Sequence, residues 1–192
     1  MHLPSVGLSL FELDPQRQEE AFRDGRIDLG ILHSPPVDAD RWLRVEVIYT
    51  EPVVLAVPEA HRLAGRARFT LANLAEESFV LFPRHVAPPM YDDIIARCRS
   101  VGFSPRVVQD AAGWHTLASL VGGGVGVGFV PRSLTRFQQH GVVYRRVRDL
   151  SVDMALSAVW KSGEKSAVRE RFVTALRAVA GTRPQAAAAR GR

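Results

Sequence analysis

The sequence predicts an α/β fold of two lobes, one built from both ends of the chain and one from its middle. Strands alternate with capped helices over most of the 192 residues, and no internal repeat is present. A content of 46% hydrophobic and 23% charged residues is that of a globular chain. With crossings near Pro58 and Leu150, lobe I comprises residues 1–58 plus 151–181, lobe II comprises 59–150, and 182–192 form a flexible tail.

The charge balance argues against direct nucleic-acid binding by this chain. Lys and Arg total 25 against 20 Asp and Glu, a formal net charge of +5. The basic residues are scattered, with short clusters only at 145–148 and in the tail, whereas domains that bind phosphates usually gather them on one face. A solvated basic surface is therefore favoured over a DNA-binding one.

The sequence also favours a cytoplasmic location. Its apolar runs fall short of the roughly 20 residues that span a bilayer. The first residues, "MHLPSVGLSLFEL", lack the charged region and cleavage site of a secretory signal. The single cysteine, Cys98, cannot form an internal disulfide, which favours a reducing compartment.

Lobe I begins with a predicted strand, helix and strand. Residues 7–13, "GLSLFEL", alternate as a half-buried strand would. Asp14 can cap a helix that has Pro15 at its first position and ends at Gly25. The nearly continuous apolar run at 27–32 predicts a strand buried on both faces. Because a helix joins the two strands, we expect them to be parallel.

Further strands and helices follow the same alternation. Two strands near 44–49 and 52–58 are separated by "TE", and the last strand has one apolar face formed by Val152, Met154, Leu156, Ala158 and Trp160. The final helix has an apolar side formed by Val168, Phe172, Val173, Leu176 and Val179. Between them we expect strands at 79–82, 105–109, 126–130 and 142–147, helices at 88–102 and 114–123, and a helical turn from Pro131.

The glycine-rich stretch "LASLVGGGVGVGFVPRSL", residues 117–134, does not fit a nucleotide-binding loop. No starting glycine gives the spacing G-x-G-x-x-G, and the glycines follow a helix and enter a strand, the reverse of the required order. We expect Gly122 to Gly124 to end the helix. Gly126 and Gly128 would let a short buried strand approach a neighbouring backbone or a ligand closely.

Catalytic and metal-binding patterns are not found in the sequence. The six histidines form no i,i+4 pair, and no HExxH, CxxC or GxSxG pattern occurs. Asp92 and Asp93 are adjacent, so they are better explained by the dipole of their helix than as an acid/base pair. Cys98 is better explained as a buried structural thiol than as a nucleophile. We therefore expect no catalytic residue, metal or cofactor.

One segment has the character of an anion site. In "FPRHVAPPMYDD" a buried strand ends where a helix begins, and Arg84, His85 and backbone amides come together. A helix start with a nearby guanidinium suits a small carboxylate. The alternative is a capped surface turn with a solvated Arg84. "WHT" at 114–116 opens the next helix and could add an indole wall and a hydroxyl to the same site.

The order of motifs resembles that of LysR-type transcriptional regulators. "LSLFELDPQRQEEAFRDGRIDLGIL" is similar to the family's strand ending in Glu, helix and "G-x-[IL]-D-[LV]-[GA]-[IL]". "LVGGGVGVGFVPRSL" resembles its "[IL]-V-x-x-G-x-G-[IV]-x-[LF]-[LV]-P" signature, and "FVLFPRHVAPPMYDDIIARCRSVGFSPRVVQDA" resembles the stretch whose helix ends "GFxP". The resemblance covers roughly residues 5–180.

The resemblance implies an effector-binding domain with two Rossmann-like lobes of the type II periplasmic-binding-protein architecture. A small organic or aromatic acid, expected to be a carboxylate, would bind between the lobes and control a homodimer or homotetramer on DNA. By analogy, helices near 15–25 and 90–101 would form subunit interfaces. Carried over by position, the effector contacts would be Asp14, Pro15, Gln16, Arg84, His85, Pro88, Pro89, Met90, Trp114, Thr116, Gly128 and Phe129.

The sequence departs from the family pattern in two places. Pro15 stands where many relatives have a hydroxyl in the first loop, which removes one expected hydrogen bond. The family's helix-turn-helix, linker helix and first strand of lobe I have no counterpart before residue 6. That strand would lie between 7–13 and 27–32, so we expect an incomplete first lobe with exposed edges. A truncated reading frame or fragment that does not bind operator DNA alone is the resulting hypothesis.

Three functions fit a two-lobed α/β pattern of this kind. The favoured one is the sensory portion of a LysR-type regulator, which is not an enzyme. A solute-binding protein of a transport system with the same fold is the alternative, disfavoured by the signal-free N-terminus and lone cysteine. A Rossmann-type enzyme is disfavoured by the glycine spacing.

Overall fold

The computed structural model describes residues 6–33 and 41–181. The chain divides into two compact units, one formed by residues 1–50 and 155–192 and the other by residues 51–154. We call them the terminal unit and the central unit. The elements, in chain order, are α1 (Pro15–Arg23), β1 (Gly30–Leu32), β2 (Leu43–Pro58), β3 (Ser78–Leu81), α2 (Pro88–Ser100), β4 (Arg106–Asp110), α3 (Trp114–Gly122), β5 (Gly128–Pro131), β6 (Val142–Arg145), β7 (Asp153–Lys161) and α4 (Ala167–Gly181).

The predicted caps of α1 are present. Asp14 is the N-cap, and its Oδ1 accepts a hydrogen bond from the Arg17 amide at 2.8 Å. Pro15 occupies the first helical position, where a missing N–H costs nothing. At the other end Gly25 has a φ of +68°, a backbone conformation that a side chain would oppose.

The terminal unit has a small core around β1 and β7. Phe22, Leu32, Leu43 and Val159 are buried together. The Phe22 ring meets the edge of Trp42 with centroids 6.4 Å apart. The prediction of a strand buried on both faces over 27–32 is wrong in two respects. The strand spans only three residues and pairs antiparallel with β7. One of its two faces is open, since Ile31 is 39% exposed.

The predicted strand at 7–13 is also wrong. Residues 6–14 have no regular secondary structure, and Leu8, Leu10 and Phe11 are 60%, 83% and 64% exposed. A strand exists only where a neighbour accepts its ladder hydrogen bonds, and within the described ranges no strand pairs with this segment. The expected parallel pairing with 27–32 is therefore not formed, and alternation alone could not predict this.

A single strand, β2, replaces the two that were predicted at 44–49 and 52–58. The "TE" between them does not interrupt it, because Glu51 is buried at 4% exposure with a backbone partner. Its Oε2 accepts a hydrogen bond from the Ser133 amide at 2.5 Å, at the start of the 3₁₀ turn Arg132–Arg136. A buried carboxylate is tolerated in a strand when it is hydrogen-bonded in this way.

The central unit contains the parallel pair that the alternation predicted. β3 pairs with β4 in parallel, and α2 connects them. β2 pairs antiparallel with β5 and with β6. Phe79, Phe82, Phe129 and Leu55 are each at most 1% exposed in the main cluster, and a second cluster surrounds Leu117.

The glycine-rich stretch has the structural role that was expected. Gly124, with a φ of +80°, ends α3, and the Val125 amide bonds back to the Leu120 carbonyl at 3.1 Å. A Cβ built on Gly128 would lie 2.6 Å from Leu117 Cδ2 and 2.8 Å from the Val80 carbonyl oxygen. Glycine is therefore required there by close approach of β5 to its neighbours.

The faces that β7 and α4 bury differ from those that the sequence predicted. In β7 Ser157 and Val159 are buried together with Met154 and Ala158, so both faces of the strand are partly covered and not one alone. In α4 only Val173 of the five apolar residues is buried. Val168 and Val179 are 49% and 59% exposed, so the predicted apolar side is only partly packed.

Candidate functional site

The candidate site lies in the central unit, where β3 and β4 end. Leu81 is the register partner of Asp110, and the Ala111 amide donates to the Leu81 carbonyl at 2.9 Å. The two strands are parallel, so their carboxyl ends share one edge, from which the chain enters α2 and α3. This edge of a parallel α/β sheet is where ligands generally bind.

Phe82 joins the two helix starts. It is 1% exposed, and its ring meets Trp114 of α3 at 5.2 Å and Tyr91 of α2 at 6.0 Å, both edge-on. Edge-to-face pairs of this kind hold aromatic rings in defined orientations. The first turns of α2 and α3 are thus packed on one buried ring.

The start of α2 offers fewer amides than the sequence prediction assumed. Its N-cap is Ala87, which provides no side-chain cap, and Pro88 and Pro89 carry no N–H. The Tyr91 amide is already bonded to the Ala87 carbonyl at 2.9 Å. Met90 is therefore the one residue of the first three in this helix that has an amide to donate.

Arg84 is held by an acidic neighbour. Its Nε and one terminal nitrogen donate to the two carboxylate oxygens of Asp92, each at 2.7 Å. The hydrogen bond from Arg84 keeps the pKa of Asp92 below its usual value, and Asp92 raises the pKa of Arg84. Both side chains are exposed, as is His85. Arg84 could therefore bind an anion only in competition with Asp92.

The start of α3 is better suited to an anion. Gly113 is its N-cap and no side chain caps it. The first N–H groups of a helix have no acceptor within the helix, so those of His115 and Thr116 are donors that an anion at this helix start could use. Thr116 is exposed and adds a hydroxyl, while the His115 ring packs edge-on against Phe137 at 5.3 Å.

Three of the predicted site residues belong to the core of the central unit. Met90 is 6% exposed and Phe129 is fully buried, with its ring stacked on Phe79 at 5.9 Å. Gly128 is buried under Leu117. The described residues around Met90 and Phe129 already cover their side chains.

Asp14, Pro15 and Gln16 lie in the terminal unit. The Asp14 carboxylate caps α1 and lies 3.5 Å from Arg17, and Gln16 is exposed. Among the described residues of both units, no cluster of His, Cys, Asp or Glu could hold a metal ion. The helices in those same ranges include none that is long and apolar enough to cross a membrane.

Sequence reasoning missed two residues that organise the site. Asp92 was assigned to the dipole of its helix and not to Arg84, and Phe82 was read as a strand residue. Arg84 and Asp92 are eight positions apart across a turn and a helix start, a separation for which no local rule predicts a contact. The "PP" at 88–89 was the available signal, because proline at the first helical position marks where α2 begins and so places Asp92 near the start of that helix.

The family described as "LysR substrate binding domain" matches residues 2–181. The regulator AlsR of Bacillus subtilis is 31% identical over 170 residues, which are 88% of this chain and 56% of that protein. CatR of Pseudomonas putida is also 31% identical, over 87% of this chain and 57% of its own length. The chain thus spans about half the length of these curated relatives.

Solved structures show the same fold. The LysR family regulator CbnR superposes with a TM-score of 0.76 at 23% identity, covering 90% of this chain and 59% of that one. The BenM effector-binding domain with its effector benzoate gives a TM-score of 0.73 at 21% identity, covering 90% and 78%. Such domains have the type II periplasmic-binding-protein fold. The transport alternative is not favoured, and the chain belongs to the LysR substrate-binding domain family.

Proposed function

We propose that this chain is the small-molecule-sensing part of a cytoplasmic LysR-type regulator, and that it binds a small organic or aromatic acid to control transcription. The observation that carries the proposal is the match of the LysR substrate-binding domain over residues 2–181. The proposed function is binding, not catalysis. Lobe I of the sensor would be 1–58 plus 151–181 and lobe II 59–150, with DNA bound through a helix-turn-helix of the whole regulator.

The helix starts in the central unit support an acidic ligand. The amides of His115 and Thr116 and the Thr116 hydroxyl present donors at the positive end of α3. The Trp114 ring, fixed by Phe82, supplies an aromatic wall. Benzoate, the effector named for BenM, has the combination of ring and carboxylate that these groups would accept.

Arg84 would bind the ligand by exchanging the Asp92 carboxylate for the carboxylate of the ligand. A ligand carboxylate offers the same bidentate geometry that Asp92 offers now. His85, Pro88 and Pro89 would border the ligand, with Met90, Gly128 and Phe129 behind it. Asp14, Pro15 and Gln16 are the proposed contribution of lobe I, and homodimers or homotetramers are the proposed assembly.

A thermal-shift and calorimetry screen tests the proposal. The full chain is titrated with benzoate, substituted benzoates and short aliphatic carboxylates, and each carboxylate is compared with its neutral amide. We expect at least one carboxylate to raise the melting temperature, because a ligand that binds only the folded state stabilises it. The amide of the same acid should have a smaller effect.

Variants locate the binding site. Thr116→Val should weaken binding by about tenfold, the effect of one hydrogen bond to a charged group. Thr174→Val is the matched control, since Thr174 is an exposed threonine of α4, in the terminal unit. Equal loss in both variants, or no response to any acid, would remove the basis of the proposal.

A further inference from the structure

Two arginine-bearing segments that are distant in sequence lie side by side in the central unit. The Arg148 amide donates a hydrogen bond to the Phe69 carbonyl at 3.0 Å. The Arg145 Nε donates to the Ala64 carbonyl at 2.9 Å, although 81 positions separate these two residues in the chain. Residues 64–69 and 145–148 are therefore direct neighbours on the surface of this unit.

Both segments bury an apolar residue and expose arginines. Phe69 and Val147 are 4% and 1% exposed, and both belong to the main cluster. The arginines that precede Phe69 and flank Val147 are all exposed. We call this group the arginine strip, and it consists of Arg66, Arg68, Arg146 and Arg148. The fold thus gathers basic residues that are scattered in the sequence.

The positive charge of the arginine strip is not compensated within the chain. Among the residues that the structure describes, none of its four guanidinium groups has an ion pair or a hydrogen bond. Other arginines of the same unit do have acidic partners, in the pairs Arg62–Glu77, Arg84–Asp92 and Arg97–Asp93. Asp149 is the one acid next to the strip in sequence, and its carboxylate accepts a hydrogen bond from the Leu71 amide at 2.7 Å. The strip is therefore open to an external anion.

The composition of the strip favours a phosphate backbone over an acidic protein. Besides the arginines, the exposed residues of 65–68 and 146–149 are Gly65, Ala67 and Asp149. Protein interfaces usually have an apolar centre with aromatic anchors, and this surface offers no such side chain. Nucleic-acid backbones are bound by charge without one, and a guanidinium group can bind a phosphate through two parallel hydrogen bonds.

We propose that the arginine strip is a DNA-contact surface of the sensor itself, which binds the phosphate backbone of duplex DNA without regard to sequence. This contact goes beyond small-molecule sensing and adds to the helix-turn-helix contact of the whole regulator. A regulator held at its operator would keep the strip at a high effective concentration near the flanking DNA, so a weak contact is sufficient. That last step rests on the proposed function, whereas binding of DNA by this chain does not.

A salt-dependent titration tests the proposal on the full chain. The probe is a fluorescein-labelled duplex of about 30 base pairs without operator sequence, followed by anisotropy from roughly 20 to 200 mM salt. We expect a Kd on the order of 10⁻⁴ to 10⁻⁶ M, as for other sequence-independent contacts. The logarithm of the association constant should fall against the logarithm of the salt concentration with a slope of about −3 to −4, since each neutralised phosphate contributes about −0.9.

Charge-matched variants locate the contact. The strip variant carries Arg66→Gln, Arg68→Gln, Arg146→Gln and Arg148→Gln, and it should bind the duplex at least about tenfold more weakly with a much smaller salt slope. The control variant removes the same number of charges at exposed arginines outside the strip, with Arg44→Gln, Arg99→Gln, Arg132→Gln and Arg171→Gln. Its affinity should change by less than about threefold, because charges away from the contact act only through the screened field of the protein.

A smaller variant covers the case in which the strip variant does not fold. Arg146→Gln with Arg148→Gln should reduce the salt slope by about half, because two of the four phosphate contacts remain. Melting curves followed by circular dichroism establish that each variant is folded before it is titrated.

Three outcomes would overturn the proposal. Equal weakening in the strip and control variants would mean that the charge acts diffusely. A wild-type chain that does not bind the duplex at the lowest salt would have no such surface. Binding of an oligo-glutamate peptide that the strip variant loses, without binding of DNA, would make an acidic protein the partner. Failure of the acid screen would not affect this test, because the strip shares no residue with α2 or α3.

Discussion

The central unit buries more of its large apolar side chains than the terminal unit does. The central unit buries two clusters, one around Phe79 and Phe129 and one around Leu117. The terminal unit buries only Phe22, Leu32, Leu43 and Val159 together, and it exposes large apolar residues beside an open strand edge. Stability depends on the area removed from water, so the difference indicates that the central unit is the more stable one.

The difference between the two units has a long-range cause and not a local one. In the terminal unit Asp14 caps α1, whereas α2 and α3 of the central unit have no side-chain cap, so capping does not explain why the central unit is better packed. They differ in how many large apolar side chains are buried, which depends on contacts between residues distant in sequence.

The largest expected effect is on the core of the central unit. Phe129→Ala should reduce the free energy of unfolding by about 3–5 kcal/mol, because it removes a fully buried ring and leaves a cavity. Phe11→Ala in the terminal unit should change it by less than about 0.5 kcal/mol, because that ring is 64% exposed. Urea unfolding followed by circular dichroism measures both, and similar losses would contradict the contrast between the units.

Close packing of β5 gives the next effect. Gly128→Ala should cost about 1–3 kcal/mol, since the new methyl would collide with Leu117 and with the Val80 carbonyl. Gly65→Ala is the control, because a Cβ at Gly65 meets no atom within 4 Å. The same urea experiment distinguishes them, and a neutral Gly128→Ala would show that β5 is not tightly packed.

The cap of α1 tests the terminal unit. Asp14→Ala should cost about 1 kcal/mol, the usual penalty for losing a side-chain acceptor at an N-cap. Glu20→Ala, at an exposed position of the same helix, should be near neutral or slightly stabilising. If the two variants have equal unfolding midpoints, the cap does not contribute to the stability of this unit.

The ion pair at the candidate site should have the smallest effect. Arg84 holds the pKa of Asp92 below its ordinary value, so the pair stabilises the folded state above that ordinary value, near pH 4. The contribution disappears as the pH falls through the lowered pKa, when Asp92 becomes protonated. Arg84→Met should therefore lower the unfolding midpoint slightly at pH 7, the difference should shrink as the pH is lowered, and NMR should show the Asp92 pKa rising. An unchanged Asp92 pKa would contradict the pairing.

The sequence predicted those features that depend on neighbouring residues. Asp14, Pro15 and Gly25 define α1, and Gly124 ends α3, because caps involve only a few consecutive positions. The residues lining the start of α2 were also found, because proline at the first position marks a helix start.

The remaining features depend on distant contacts. Residues 7–13 alternate as a strand does, yet no strand among the described residues pairs with them. Glu51 stays buried inside a strand because the Ser133 amide donates a hydrogen bond to its carboxylate. Phe129 and Met90 stay predicted effector contacts, and their burial in the main cluster, where Phe129 stacks on Phe79, could not be predicted from the sequence. Burial of this kind follows from the three-dimensional fold and is not encoded in a local motif.

Amide hydrogen exchange, read by mass spectrometry, compares the two units directly. We expect the slowest exchange in β3 and β5 of the central unit, where the side chains are fully buried, and fast exchange over residues 6–13 and β1 of the terminal unit. Equal protection of the two units would contradict the account.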